Sequence, residues 1–198
     1  AQAEVHHELA VDVLAVCERE IGHTDPACGR SQERKRRDPL EQLLVNASAS
    51  IERGSRFAGI IEALKDHEQL KDKDVLLLTE LDYGMARSGN RFVARELARE
   101  LTLNYAFAPV YIALQKGSGV ESQIEGENER SLHGLAMFSK WPMKNVHAIP
   151  LPNGKDKMWG KEKRLGSLRA LFADIDHPLG TFRAVTVHLD AHCSRAHR

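Results

Sequence analysis

Four consecutive large aliphatic residues, Val75-Leu76-Leu77-Leu78, stand between Asp74 and the polar pair Thr79-Glu80. A half-solvated strand alternates apolar and polar positions, whereas a short unbroken run of this kind is typical of a strand covered on both faces. Its cover must come from elsewhere in the chain. Phe57, Ile60, Ile61 and Leu64 recur at i, i+3, i+4 and i+7, and Val93, Leu97 and Leu101 fall on one stripe. Both patterns predict helices with one buried face. No apolar run approaches the roughly 20 residues that a membrane-spanning helix needs.

The segments around this centre predict further strands. Leu43-Leu44-Val45 reads as a short strand ending at Asn46, and Tyr105 to Leu114 as a strand interrupted by Pro109. Residues 115–130 are polar and glycine-containing, a loop long enough to be functional. Strands then follow closely at Leu135–Ser139, Met143–Ile149, Ser167–Ile175 and Thr181–His188, joined by turn chemistry such as Pro152-Asn153-Gly154 and His177-Pro178-Leu179-Gly180. A helix-rich first half and a hairpin-rich second half predict a layered α/β architecture over residues 40–198.

Residues 1–39 read as an appendage. Val5, Leu9, Val13 and Val16/Cys17 recur at helical spacing, so residues 4–20 predict an amphipathic helix, followed by a polar linker with the basic run Arg34-Lys35-Arg36-Arg37. The first residue is Ala1 rather than methionine, which fits removal of an upstream segment and leaves a cytoplasmic and an exported soluble protein both open. Three cysteines, Cys17, Cys28 and Cys193, lack the spacing of a zinc ribbon or a disulfide scaffold, so thiols are expected, with a Cys17–Cys28 bridge left open in an oxidising compartment. Basic and acidic residues number 28 each. That balance argues against a histone-like coat or a polybasic membrane binder, but not against an enzyme that gathers charge in a cleft.

Four polar groups close or interrupt the predicted strands: Asn46, Glu80, Arg169 and His188. Each has an ordinary explanation as a turn, cap or surface residue. As a set they match a chemistry. Glutamate and asparagine offer the hard oxygen donors that suit magnesium. A cation so held polarises a phosphoryl oxygen, arginine clamps phosphate in a fork, and histidine titrates near neutrality.

These residues also carry a family resemblance. Asp74-Val-Leu-Leu-Leu-Thr-Glu80-Leu-Asp82 resembles the strand-plus-glutamate motif of the endonuclease/exonuclease/phosphatase superfamily. Gly134-Leu-Ala-Met-Phe-Ser139-Lys-Trp-Pro142 is similar to that family's Gly-x-Ala-x-x-Ser-x-x-Pro segment, and Arg169-Ala-Leu followed by Val185-Thr-Val-His188-Leu-Asp190-Ala completes the order. The resemblance implies a four-layer α/β sandwich, two central mixed sheets flanked by helices, with the active site at one end. It implies that Glu80 binds a divalent metal, Mg2+ in the first place with Mn2+ fitting the same ligands, and that Asn46 lies beside it. By the same resemblance His188 faces the phosphate and Arg169 orients substrate or neighbouring acids. Asp82 and Arg87 are expected to line the pocket. His133 and Asn128 are candidates by their closeness to Gly134, and Asp190 is expected to be a structural acceptor.

The family's Asp-x-Asn pair and terminal Asp-His pair have no counterpart up to Arg198. The expectation is therefore the first part of such a domain, with the C-terminal half absent from these 198 residues. The functional expectation is a metal-dependent phosphoesterase, foremost a phosphodiesterase or nuclease. Its substrate is a phosphate ester, with nucleic acid, sugar phosphate and phospholipid all open. The alternative is a catalytically incomplete module of the same fold that binds a phosphorylated ligand or protein partner.

Overall fold

The apolar run forms the middle of strand β2 (Val75–Tyr83), and its two faces serve two different cores. The computed structural model describes residues 46–189. Within them, Val75 and Leu77 pack against the neighbouring sheet, while Leu76 and Leu78 pack against helices. This division explains why no polar residue interrupts the run: every position from Val75 to Leu78 is buried.

A five-stranded sheet has the order β1-β2-β4-β3-β6, built from β1 (Asn46–Arg53), β2, β3 (Asn104–Ala113), β4 (Leu132–Ser139) and β6 (Arg164–Gly166). β1 runs parallel to β2; the remaining pairs are antiparallel. A second sheet has the order β5-β7-β8, from β5 (Met143–Pro150), β7 (Arg169–His177) and β8 (Gly180–Val187), and is antiparallel throughout. The sheets face each other through Val75, Leu77, Leu135 and Met137 on one side and Leu171, Ala173, Ile175 and Ala184 on the other.

The outer face of the larger sheet is covered by α1 (Phe57–Asp66) and α2 (Val93–Leu101). Val93, Ala94, Leu97 and Ala98 bury one face of α2 against Leu76, Leu78, Phe107 and Phe138. Thr102 then stops the helix in the left-handed region, its N–H reaching the carbonyls of Ala98 and Arg99. Helices, large sheet and small sheet thus supply three layers of an α/β sandwich from the described residues.

Most predicted elements fall where the periodicity puts them, and the differences have local causes. β6, Arg164-Leu165-Gly166, is too short to leave a pattern. Leu43-Leu44-Val45 lies outside the described residues, and the first described strand instead carries the small polar stretch Asn-Ala-Ser-Ala-Ser into Ile51. The predicted N-terminal helix, the basic run, the three cysteines and Asp190 lie outside the described residues as well.

Candidate active site

Both strands flanking β4 carry one extra residue at the same level. Against β2, β4 pairs Leu135 with Thr79 and Gly134 with Leu81, so Glu80 is the surplus residue. Against β3, Gly134 pairs with Pro109 and His133 with Tyr111, so Val110 is the surplus residue. These are β-bulges, which kink a strand and re-aim its side chains. Glu80 takes φ +64°, a conformation that non-glycine residues seldom adopt and that is typically stored at functional sites at a cost of about 1–3 kcal/mol.

Gly134 is what makes the double bulge possible. A Cβ on this residue would lie 2.0 Å from the Ala108 carbonyl oxygen and 2.8 Å from its carbon. Only a residue without a side chain fits so close to a backbone. The rest of the Gly-x-Ala-x-x-Ser segment is structural in the same sense. Ala136 is fully buried under α2, and the Ser139 hydroxyl accepts the Trp141 N–H (3.0 Å) to set the turn into β5.

The bulge places Glu80 beside His188, with Nε2 3.7 Å from Oε1 and each side chain about one-third exposed. Both line a cleft of about 730 Å³. A smaller recess of about 70 Å³ shares Glu80 and His188 and is walled by Gly134 and His133. Ala170 pairs with Val187, so Arg169 and His188 leave the small sheet together at the next position. The Arg169 Nε is buried and has no hydrogen-bond partner among the described residues. A buried, unsatisfied donor calls for a specific explanation.

Asn46 is not brought to this point. It pairs with Val75 at the start of β2, five residues before Glu80. At about 3.3 Å per residue that is roughly 16 Å along the sheet. The residues of β1 level with Glu80 are instead those between Ser50 and Arg53, where the β1–β2 register also shifts. The expectation that Asn46 accompanies Glu80 is therefore corrected by the strand register.

Asp82 and Arg87 sit beneath the cleft rather than on its lining. Arg87 clasps Asp82 in a fork (Nε to Oδ2 2.7 Å, Nη2 to Oδ1 2.9 Å), and both side chains are essentially inaccessible. The His133 Nδ1 is 2.7 Å from the same carboxylate. Arg87 Nη1 also reaches Glu162 at 2.9 Å, while Glu121 pairs with Arg53. This network ties β2, β4 and two pocket loops into one unit. Asn128 braces the same region, accepting the Ala86 N–H and donating to the Gln115 carbonyl.

Burial alone would raise the Asp82 carboxyl, but hydrogen bonds from Arg87 and His133 outweigh it and hold the group below the usual carboxylate range. Burial holds His133 below the usual imidazole range against the pull of Asp82, so the neutral ring donates from Nδ1. The folded state therefore refuses protons that the unfolded chain accepts. Stability is expected to fall as pH drops below about 6.5, when unfolded His133 protonates, and again below about 4, when unfolded Asp82 does. Thermal midpoints between pH 7 and 5 check the first step. His133→Asn, which keeps a donor near the Nδ1 position, is expected to flatten that slope; an unchanged slope would assign it to another group.

Tyr111 on the cleft wall and the residues that hold it left little trace in the sequence. Tyr111 donates its hydroxyl to Asn153 (3.1 Å), and the Arg164 guanidinium lies over its ring at 5.7 Å. Asn153, within what reads as a plain turn, also donates to the Gly166 carbonyl and accepts the Leu168 N–H. Trp159 and Glu162 complete the mouth of the cleft.

Among the described residues no three His, Cys, Asp or Glu side chains come together as a metal-ligand group, so no closed protein cage is built there. Magnesium does not require one. It usually keeps several waters and is held by one or two carboxylates together with substrate phosphate. A carboxylate about one-third exposed in an open cleft, its ion-pair partner among the described residues being His188 at 3.7 Å, fits that demand.

No protein-family model matches the chain, and no curated protein matches it. Among solved structures, its fold is similar to the crystal structure of an endonuclease/exonuclease/phosphatase from Beutenbergia cavernae DSM 12333, with a TM-score of 0.50 and 19% identity. The match covers 75% of this chain and 39% of that one. At this identity the likeness carries the fold: a mixed α/β sandwich of two sheets. No helix among the described residues is long and apolar enough to cross a membrane.

Proposed function

We propose that the chain carries the Glu80 half of a metal-dependent phosphoesterase site, acting foremost on phosphodiesters. The observation that bears most weight is the bulge that turns Glu80 at φ +64° into an open cleft beside His188. Strain of this kind persists only where the surrounding structure enforces it, and here Gly134 and two flanking strands do so.

Glu80 would hold Mg2+ or Mn2+, and the bound cation would supply Lewis-acid polarisation of the phosphoryl oxygen. His188, on the rim of the same cleft, would donate a hydrogen bond to a phosphate oxygen. Arg169, level with His188 where both leave the small sheet, would help orient the ester through its guanidinium. Asp82, Arg87 and His133 act from below as positioning residues, holding the strand ends and the loop that carries Glu162.

Hydrolysis of bis(4-nitrophenyl) phosphate with Mg2+ tests this reading. Glu80→Gln is expected to lower the magnesium-dependent rate by about a hundredfold or more while the fold is kept. Equal rates in the two proteins would remove Glu80 from the chemistry. The second reading is a phosphate-binding module of the same fold that does not turn over. It predicts saturable inorganic phosphate binding with no hydrolysis at any Mg2+ concentration.

A further inference from the structure

The loop between β5 and β6 holds a feature that phosphoester hydrolysis alone does not require. Trp159 is 89% exposed, the most exposed large apolar side chain among the described residues, and it stands on the wall of the Glu80–His188 cleft. It does not dangle. Residues Lys157–Trp159 form a 3-10 turn whose N-cap Asp156 accepts the Met158 N–H at 2.9 Å. The turn is anchored below by Glu162 through Arg87 and Arg164.

Around the indole the chain is basic. Lys155 and Lys161 are exposed on the same cleft, and Lys157 is half-buried there. Against these three lysines the same wall carries Asp156, which caps the turn, and Glu162, which is paired with Arg87 and Arg164, so the exposed charge beside the indole is mainly that of Lys155 and Lys161. An indole presented to solvent between ammonium groups, next to a site for a phosphodiester, matches an unpaired base stacked between two phosphates. It does not match an insertion loop for a lipid surface. Gly160 and Lys161 follow the indole, and Met158 before it is half-buried, so no contiguous apolar tip exists.

We infer that the Trp159 loop is a binding subsite for single-stranded nucleic acid, with Trp159 stacking on one base and Lys155 and Lys161 contacting its flanking phosphates. The inference names the substrate class of the cleft and rests on the phosphoesterase reading for what happens at Glu80. Base stacking on an aromatic ring is sequence-tolerant, so the subsite would select unpaired strands without selecting a sequence.

Fluorescence anisotropy of a fluorescein-labelled oligothymidylate, titrated with the full chain in EDTA, separates binding from turnover. Trp159→Ala is expected to weaken binding about tenfold, and Trp159→Phe to recover most of the loss. The logarithm of affinity should fall against the logarithm of salt with a slope of about −1.4 from the two lysines, and Lys155→Ala/Lys161→Ala should flatten it. Leu179→Ala, exposed on the turn between β7 and β8, serves as the neutral control.

Equal affinity in Trp159→Ala would overturn the inference. So would equal binding of the duplex with oligoadenylate, or binding of phosphatidylcholine–phosphatidylserine vesicles in place of the oligonucleotide. Oligothymidylate binding that depends on Trp159, in a protein that fails to hydrolyse bis(4-nitrophenyl) phosphate, supports the subsite and counts against the catalytic reading alone.

Discussion

Arg87→Met is expected to destabilise the protein by about 3–5 kcal/mol, enough to consume much of the stability of an ordinary domain. The guanidinium is almost inaccessible and faces three carboxylates, Asp82 in a fork, Glu162 at 2.9 Å and Glu121 at 3.4 Å. Removing it leaves Asp82 fully buried, with a neutral His133 as its remaining close partner. An uncompensated buried charge costs far more than the intact pair contributes. The double variant Arg87→Met/Asp82→Asn should therefore recover part of the loss, because the stranded charge is gone. Urea unfolding of the three proteins reads this out. A loss below about 1 kcal/mol for Arg87→Met would show that the network is solvated rather than buried.

Gly134→Ala should cost about 3 kcal/mol or more, at the upper end of what one added carbon in a packed interior does. The reason is the neighbour it meets. A flexible side chain could swing away, but the Ala108 carbonyl oxygen at 2.0 Å belongs to a central strand. Relief requires β3 or β4 to shift, and that shift passes to the bulge at Glu80. Any folded Gly134→Ala protein should thus lose phosphodiester turnover disproportionately to its loss of stability. A variant of native stability and native turnover would mean that the bulges accommodate a side chain after all.

The layered fold was legible because its main signals are local. Val75 to Leu78 announces a two-sided strand, and the stripes at Phe57–Leu64 and Val93–Leu101 announce the helices that cover one side. His188 was legible as a strand-end polar group and Glu80 as a polar residue after an apolar run, although β2 continues past Glu80 to Tyr83, and the structure brings the two within 3.7 Å of each other. What was illegible depended on register. Nothing in Thr79-Glu80-Leu81 signals that Glu80 has no partner of its own on β4, since a bulge is a property of two strands. Asn46 failed for the same reason. Its place after an apolar triplet suggests a strand end, but the strand continues through Ala-Ser-Ala-Ser, small residues whose alternation carries little hydrophobic contrast. Asp82 and Arg87 were noticed as charged neighbours of Glu80, yet their burial follows from the 3-10 turn at Ala86–Ser88 that folds Arg87 back under β2. The Trp159 loop reads as turn chemistry, and only its placement on the cleft gives its lysines a role.

Glu80 is expected to hold a divalent cation, and such binding can be measured without reference to turnover. Mn2+ gives a free-ion electron paramagnetic resonance signal that disappears on binding. Titrating Mn2+ into the full chain should show a saturable site that Mg2+ displaces, weakened about tenfold or more in Glu80→Gln and unchanged in Leu179→Ala. Equal Mn2+ binding by native protein and Glu80→Gln, both shown to be folded, would contradict it and leave the bulged glutamate as a structural carboxylate.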